Sequence, residues 1–115
     1  MPPRTKHDPM FGPALAITEP LAALGEPHRF ILFHKLVMLG GHATFQALQK
    51  ELHVHKVALS RAMARFEQAK LVTTTINLDR SKVATVNMQT LDKISGVLGM
   101  AYARLSKTKN TAEES

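Results

Sequence analysis

The segment from Thr44 to Val72 constrains the fold of this chain more than any other. It reads TFQALQKELHVHKVALSRAMARFEQAKLV and predicts a short helix over about 44–52, a tight turn at 53–55 and a longer helix over about 56–70. At about 100° per residue, the longer helix separates into two faces. The apolar face consists of Leu59, Ala62, Met63 and Phe66. The opposite, basic face consists of Lys56, Val57, Ser60, Arg61 and Ala64. A solvated amphipathic helix shows the same split, but the pattern is also that of a helix-turn-helix, whose second helix enters a DNA major groove.

Length and charge narrow the class of protein. A chain of 115 residues forms one small domain with a modest core. Its 15 Lys and Arg residues against 9 Asp and Glu give a net charge of +6, which favours a polyanionic partner. Basic patches also bind membranes and acidic proteins, so charge alone does not identify the partner. The sequence has no cysteine, which excludes disulfides, thiolate metal ligands and cysteine redox sensing.

We expect a cytoplasmic protein. Arg4 and Lys6 are followed by an apolar segment that is short and broken by Pro13, so no signal peptide is predicted. No apolar run approaches the roughly 18 residues that a membrane helix needs.

Two helices are predicted before the helix-turn-helix, after a proline-rich, flexible N-terminal arm at 1–13. The first starts with Thr18 as its cap and ends at Gly25. The second starts at Pro27 and ends at the glycine pair 40–41. This second helix is apolar nearly all the way round, and such a helix must be covered on more than one side. A small chain has few helices to do so, which points to a second subunit.

A β-hairpin and a last helix follow. β-Branched residues predict strands at 71–77 and 82–88, joined by a polar turn at 78–81, with Arg80 and Lys82 at the tip. The last helix is predicted over about 91–106, and 107–115 is expected to be a flexible tail, so that 14–106 forms the folded domain. Apolar residues recur in this helix at spacings of three and four, the seam of a helix that pairs with another helix. These residues are Leu91, Ile94, Leu98, Ala101 and Leu105.

Three segments together resemble the winged helix-turn-helix transcription regulators, most of all the ArsR-like group and its MarR-like relatives. LAALGEPHRFILFHKL is similar to the family's short helix, acidic-Pro step and Ile-Leu-rich helix. LHVHKVALSRAMARFEQAKLV has the Ser-Arg pair in mid-helix, and TTTINLDRSKVATVNMQTL is similar to the charged wing and the entry to the last helix. The resemblance covers roughly 18–106 and implies a mainly α, dimeric fold with a small β-hairpin, in the order α-α-α-α-β-β-α.

The sequence departs from the family pattern at three points. Lys70 stands where the family usually has glycine, which makes that helix end less favourable. His55 replaces the common serine before the recognition helix, so the cap comes from the imidazole ring, from water, or is missing. The acidic and cysteine motifs of the metal-sensing members are absent.

The resemblance implies a role for each residue of the basic face. Residues expected at base edges are His55, Lys56, Val57, Ser60 and Arg61, with Arg61 on guanine and Val57 on a thymine methyl group. Residues expected at phosphates are Lys50, Arg65 and Lys70. Arg80 is expected at the minor groove and Lys82 at the flanking phosphate. The second and last helices are expected to form a homodimer that places two recognition helices about 34 Å apart on a pseudo-palindromic double-stranded operator. For Arg65 and Lys82, an ordinary solvated charge is an equal alternative.

Other functions have less support. A winged-helix module that binds protein, with an incidental basic face, is the main alternative. An enzyme is not expected, because the sequence has no Gly-rich phosphate loop, nucleophile elbow or suitably spaced carboxylates. Aromatic residues make up only 5%, which disfavours binding to single-stranded RNA. Six histidines raise the question of a metal, but no helix has an i, i+4 pair, so we predict neither a metal nor a cofactor. For His34, an interfacial or partly buried position beside Phe30, Val37 and Met38 is the expected role. The sequence identifies no effector.

Overall fold

A computed structural model describes residues 11–114 of the chain, with side chains from 12 to 107. Its elements, in order, are α1 (Phe11–Ala16), α2 (Thr18–Leu24), α3 (Pro27–Met38), β1 (His42–Thr44), α4 (Phe45–Leu52), α5 (Lys56–Gln68), β2 (Val72–Ile76), β3 (Lys82–Val86) and α6 (Met88–Glu114). The predicted class, mainly helical with a small sheet, is confirmed. The predicted order lacked α1 and β1. Within residues 11–114, no helix is long and apolar enough to cross a membrane.

Helix α3 has the ends that the sequence predicts. Pro27 occupies its first turn, and the Glu26 carboxylate caps it by accepting hydrogen bonds from the backbone N–H groups of His28 (3.1 Å) and Arg29 (2.9 Å). At the other end, Gly40 and Gly41 have φ angles of 94° and 79°, in the left-handed region that glycine adopts without strain. Their N–H groups donate to carbonyls of the last turn, each at 2.9 Å, so α3 stops there.

The core lies between α3, α4, α5 and the sheet. The predicted apolar face of α5 is confirmed, because Leu59, Met63 and Phe66 are buried. Ala62 is half-buried at the edge of that stripe. The Phe66 ring meets the Phe33 ring of α3 edge to face, with 5.6 Å between the centroids. This packing fixes the apolar face of α5 inward and leaves its opposite face in solvent.

The sheet has three antiparallel strands in the order β1-β3-β2. The predicted hairpin is confirmed as β2 and β3, but the pairing of β1 with β3 was missed. β1 has only three residues, too few to show an alternating pattern, and the partner of His42 is Thr85, 43 positions away. Thr44 ends β1 and also caps α4, since its hydroxyl accepts from Ala47 N at 3.0 Å. β1 therefore ties the start of the helix-turn-helix to the wing.

Both ends of the described chain differ from the predictions. Residues 11–13, assigned to the flexible arm, lie in α1, which packs on α6, while 1–10 lie outside the described residues. Thr18 does not cap α2, because its hydroxyl donates to Leu15 O at 2.8 Å in the preceding turn. α6 continues to Glu114, so its predicted end near 106 was wrong. No glycine or proline occurs after Gly99 to stop it.

Candidate nucleic-acid interface

The turn between α4 and α5 sets the direction of the recognition helix. α4 ends at Leu52 and is followed by His53, whose φ of 53° lies in the left-handed region. α5 starts after His55, whose ring nitrogen Nδ1 accepts a hydrogen bond from Val57 N at 3.2 Å. The departure from the usual serine is thus resolved: the imidazole supplies the cap, and it does so only while Nδ1 carries no proton.

The basic face of α5 is exposed along its length. Lys56, Val57, Ser60, Arg61 and Ala64 all lie in solvent, opposite the buried stripe. Among the side chains at 12–107, Lys56 and Arg61 have no ion pair and no side-chain hydrogen bond. Their positive charges are therefore uncompensated within the described part of the chain.

The wing tip is a fixed turn. Asn77 N donates to Ser81 O at 2.8 Å and Arg80 N donates to Asn77 O at 2.9 Å. The Asp79 carboxylate accepts from the Ser81 hydroxyl at 2.6 Å and from Ser81 N at 3.0 Å, and these hydrogen bonds lower the pKa of Asp79. Arg80 has a φ of 68° and its side chain is exposed at the tip. The turn thus presents Arg80 on an ordered backbone.

A hollow of about 400 Å³, here called the wing-side hollow, separates α5 from the wing. Four residues predicted to bind DNA line it, and they are Lys56, Ser60, Arg80 and Lys82. The Lys82 ammonium lies 5.8 Å from the centroid of the Phe45 ring, close enough for a cation–π interaction. No carboxylate lines this hollow. The structure therefore brings the recognition helix and the wing tip together into one cationic surface.

Gln46 and Gln49 of α4 also line the wing-side hollow, although they are not among the residues predicted to bind DNA. They lie three residues apart on the side of α4 away from the buried Leu48. Glutamine donates and accepts hydrogen bonds and suits both adenine and phosphate. Their i, i+3 spacing places both on one face of α4, but the prediction of DNA-binding residues was based on positive charge, which glutamine lacks.

Arg65 does not line the wing-side hollow. Its guanidinium nitrogen Nη1 donates to Glu19 Oε1 of α2 at 2.8 Å, and the side chain is only 27% exposed. The two residues are 46 positions apart in the sequence, so no local sequence pattern predicts this ion pair. Lys50 and Lys70 are exposed at the ends of α4 and α5, and neither lines the wing-side hollow.

A second cavity lies on the other flank of α5, against α3, and is called the α3-side cavity here. It measures about 560 Å³. Its apolar lining consists of Ile31, Leu32, Leu52, Val54, Ala58 and Ala62. Its charged and polar lining consists of Glu26, His28, Arg29, Arg61 and Arg65. Arg61 therefore stands between the basic face of α5 and this cavity. Nothing in the sequence predicted the cavity.

The predicted dimer seam on α6 divides into two parts. Ile94 is 8% exposed and belongs to the core of its own chain, and Leu91 is half-buried against that core. Leu98 and Leu105 are 52% and 70% exposed, and Ala101 is also exposed. The first turns of α6 pack on the domain, whereas the same apolar side of the helix is uncovered further along. The interface expected at Leu91 and Ile94 is thus already used within the chain.

Four of the described histidines contact another group of the chain. Among the described residues, no group of three or more His, Asp or Glu side chains is arranged to hold an ion. His28 Nδ1 lies 2.9 Å from the Glu26 carboxylate, His42 Nδ1 lies 2.9 Å from the Thr85 hydroxyl, and His55 caps α5. The exposed His34 ring stacks beside Phe30 at 6.4 Å between centroids.

Solved structures with the same fold include several regulators. The ArsR-like transcriptional regulator from Rhodococcus sp. RHA1 has a TM-score of 0.68 at 17% identity, over 90% of this chain and 94% of its own. NolR from Sinorhizobium fredii has a TM-score of 0.61 at 20% identity, over 89% and 94%. The transcriptional regulator homologue from Pyrococcus horikoshii OT3 has a TM-score of 0.57 at 22% identity, over 76% and 88%. No protein-family model matches the sequence, and no curated protein matches it at a significant level.

At these identities the likeness shows the fold. The chain has the winged helix-turn-helix architecture of ArsR-like regulators, in which α4 and α5 form the helix-turn-helix and β2 and β3 form the wing.

Proposed function

We propose that this protein is a transcriptional regulator that binds specific sequences of double-stranded DNA as a homodimer. The observation that carries the proposal is the wing-side hollow, around which Lys56, Arg80 and Lys82 place three positive charges with no carboxylate among the lining residues. A helix with an exposed basic face beside a cationic wing fits a major groove and the phosphates that flank it.

Sequence would be read by the N-terminal half of α5. Arg61 donates two hydrogen bonds to guanine, Val57 contacts a thymine methyl group, and Ser60 bonds to a neighbouring base. His55 and Lys56 lie at the start of the helix, where recognition helices approach base edges. Because these side chains project from one face of a rigid helix, they reach adjacent base pairs together.

The wing and the outlying lysines would supply affinity. Arg80 enters or borders the minor groove, and Lys82, Lys50 and Lys70 neutralise phosphates. A phosphate contact by Arg65 requires its ion pair with Glu19 to open, so we assign Arg65 chiefly to holding α5 against α2. Phosphate contacts carry no sequence information but fix the register of the protein on the duplex.

Dimerisation would use the uncovered part of α6. Leu98, Ala101 and Leu105 continue the buried side of the helix into solvent, which is the arrangement expected when a second copy covers it. A two-fold pair places two α5 helices about 34 Å apart, one turn of DNA. Action in the cytoplasm, as the sequence predicts, is part of this proposal.

The test combines duplex binding with solution mass. Affinity of the full chain for a pool of random duplexes is measured over a range of salt concentrations, and light scattering gives the mass of the free protein. We expect affinity to fall steeply with salt, by roughly 1,000-fold between 50 and 200 mM for a dimer that neutralises several phosphates, and the mass of two chains. Salt-independent binding, or a monomer at every concentration, contradicts the proposal.

One observation favours a second function, a winged-helix module that binds protein. Helix α3 exposes large apolar side chains, namely Phe30, Ile31, Val37 and Met38. If this surface is the functional one, a Phe30→Glu substitution abolishes partner binding and duplex binding is weak and unselective. Regulation by DNA binding instead requires the basic face of α5.

A further inference from the structure

Leu78 lies at the apex of the wing tip and is fully exposed. Its exposed fraction is the highest of any large apolar side chain in the part of the chain whose side chains are described. Turns of this kind are usually built from Asn, Asp, Gly, Pro and Ser. A single exposed leucine is common on protein surfaces, so exposure alone assigns no role to Leu78. Its role follows from the turn that supports it and from the cations beside it.

The turn fixes the position of Leu78. Arg80 N donates to Asn77 O at 2.9 Å, which closes a β-turn with Leu78 as its second residue. The Asn77 side-chain amide donates to the Ser81 hydroxyl at 3.1 Å, and that hydroxyl donates to the Asp79 carboxylate. The polar side chains of the turn are therefore bonded to one another, while those of Leu78 and Arg80 are exposed. An apex that is already ordered loses little conformational entropy when it binds a partner.

Apolar side chains of the wing lie next to its cations. Ile76 is 67% exposed and pairs directly with Lys82 across the hairpin, so the two side chains share a face of the sheet. Lys82 and Arg80 line the wing-side hollow. These cations suit phosphates, whereas Ile76 and Leu78 are stabilised only by an apolar partner. Duplex DNA offers such a partner behind its phosphates, because proteins that bind the minor groove insert apolar side chains between stacked base pairs.

A membrane surface also combines negative charge with an apolar interior. Proteins that lie on it usually bury a broad apolar face, such as one side of an amphipathic helix. The wing exposes two large apolar side chains, Ile76 and Leu78, on a narrow hairpin. The minor groove, roughly 6 Å wide, admits a narrow apex with flanking cations. The shape of the wing tip therefore favours duplex DNA as its partner.

We propose that Leu78 is a wedge that inserts between two base pairs from the minor groove on each side of the operator. This inference rests on the proposed function and adds to it. Arg80 binds at the same groove and holds the tip in place, while Leu78 partly unstacks one base step. Apolar side chains inserted in this way kink a duplex by roughly 20–90° towards the major groove. The protein therefore bends the DNA that it binds.

The wedge makes binding by the wing depend on sequence without a hydrogen bond to a base. Unstacking costs least at the flexible pyrimidine–purine steps, namely TA, CA and TG. Leu78 therefore favours operators with such a step where the wing contacts the duplex, at a position that α5 does not read. Lys82, by contrast, neutralises a phosphate whatever the sequence.

The first test compares the duplexes that three forms of the full chain select from one random pool at the same salt concentration. Leu78→Ser removes the wedge with a residue that turns favour, so the fold is retained, and Leu78→Met keeps an apolar side chain of similar size. We expect the parent and Leu78→Met to enrich a TA, CA or TG step flanking each half-site. Leu78→Ser should enrich the same bases opposite α5 but leave the flanking step random.

The second test measures affinity for the duplex that the parent selects. Leu78→Ser should bind it about tenfold more weakly, because the apolar surface of the leucine is no longer buried. The slope of log affinity against log salt should not change, because no charge is removed. The matched control is Met88→Ser, an exposed methionine at the opposite end of the hairpin from the tip. Its affinity should stay within about twofold of the parent.

The third test observes the kink itself. Permanganate oxidises unstacked thymines, and energy transfer between dyes at the two ends of the duplex reports a bend. We expect a reactive thymine at the flanking step and a shortened end-to-end distance in complexes of the parent and of Leu78→Met, and neither change in the complex of Leu78→Ser.

The outcomes separate this proposal from the function on which it rests. A parent that binds no duplex at low salt overturns the proposed function and the wedge together. A parent that binds duplexes but leaves them straight and stacked, or bends them no more than Leu78→Ser does, overturns the wedge alone. Binding of the parent but not of Leu78→Ser to vesicles of phosphatidylserine and phosphatidylcholine, with equal duplex affinity of both, also overturns the wedge and assigns the tip to a membrane.

Discussion

The two flanks of α5 differ in what surrounds their positive charges. On the wing side, Lys56, Arg80 and Lys82 line an open hollow together with glutamines and no carboxylate. On the α3 side, Arg29 and Arg65 are already bound to groups of α2, and most of the remaining wall is aliphatic. A net charge of +6 therefore does not by itself mark an interface. The partners that a cation already has within the fold decide what it is available to bind.

Removing the wing-side cations should have the largest effect. In a Lys56→Gln, Arg80→Gln double variant, duplex affinity should fall roughly 100-fold at low salt, and the slope of log affinity against log salt should decrease by about 2 per chain. Glutamine is chosen because it removes the charge of each residue and keeps a polar side chain of similar length. Fluorescence anisotropy of a labelled duplex measures both quantities.

The matched control is Lys93→Gln, an exposed lysine of α6 that lines neither flank of α5. Its affinity and salt slope should stay within about twofold of the parent. An equal loss of log affinity per removed charge in the control and in the double variant would mean that total charge matters and its position does not.

Arg61 lies between the two flanks, and its removal should change specificity. For Arg61→Ala we expect a loss of about 1–3 kcal/mol of discrimination at one base position in each half-site. Competition between duplexes that differ at single positions measures this. A uniform loss across all positions would reassign Arg61 to a phosphate.

Lys70 tests a cation that lies on neither flank. Its φ of 61° is unfavourable for lysine but free for glycine, and its carbonyl accepts from the Thr90 hydroxyl at 2.6 Å. Lys70→Gly should therefore raise the free energy of unfolding by about 0.5–1 kcal/mol, measured in urea. Lys70→Ala removes the same charge without relieving the strain, so equal stability of the two variants would contradict the explanation.

The smallest expected effect is on stability, when Glu26, the cap of α3, is replaced by glutamine. The pKa of Glu26 is lowered from 4.5 to about 2 in the folded chain, mainly by the hydrogen bond from the His28 side chain. A carboxyl group with a lowered folded-state pKa contributes stability that is present above its unfolded pKa and is lost as the pH falls through the folded one. The difference in urea midpoint between the parent and Glu26→Gln should therefore be present at pH 7 and shrink from about pH 4.5 towards pH 2. A difference that grows on acidification would contradict this assignment.

Local signals in the sequence were sufficient for the helix-turn-helix and its neighbours. Pro27 and the glycine pair mark the ends of α3, and Thr44 caps α4 as its position in the sequence suggests. The spacing of apolar residues in α5, every three or four positions, predicts its buried face directly. Each of these features depends on side chains within a few residues of one another, which is why a single sequence reveals them.

Features that depend on distant contacts were not predictable in this way. β1 exists because Gly41 O and the residues after it pair with the residues of β3, which lie 39 to 45 positions later in the chain. The ion pair of Arg65 joins α5 to α2, and the α3-side cavity is formed where three helices meet. The early part of the α6 seam was assigned to a second subunit because periodicity does not show whether Ile94 packs within its own chain.

Selection of bound duplexes from a random pool, with the full chain at one fixed salt concentration, tests the central claim most directly. We predict enrichment of an inverted repeat whose half-sites are centred about one helical turn, or 34 Å, apart, with two chains on each selected duplex. A pool that stays random after repeated selection, or a single half-site occupied by one chain, would contradict the claim that paired α5 helices read DNA.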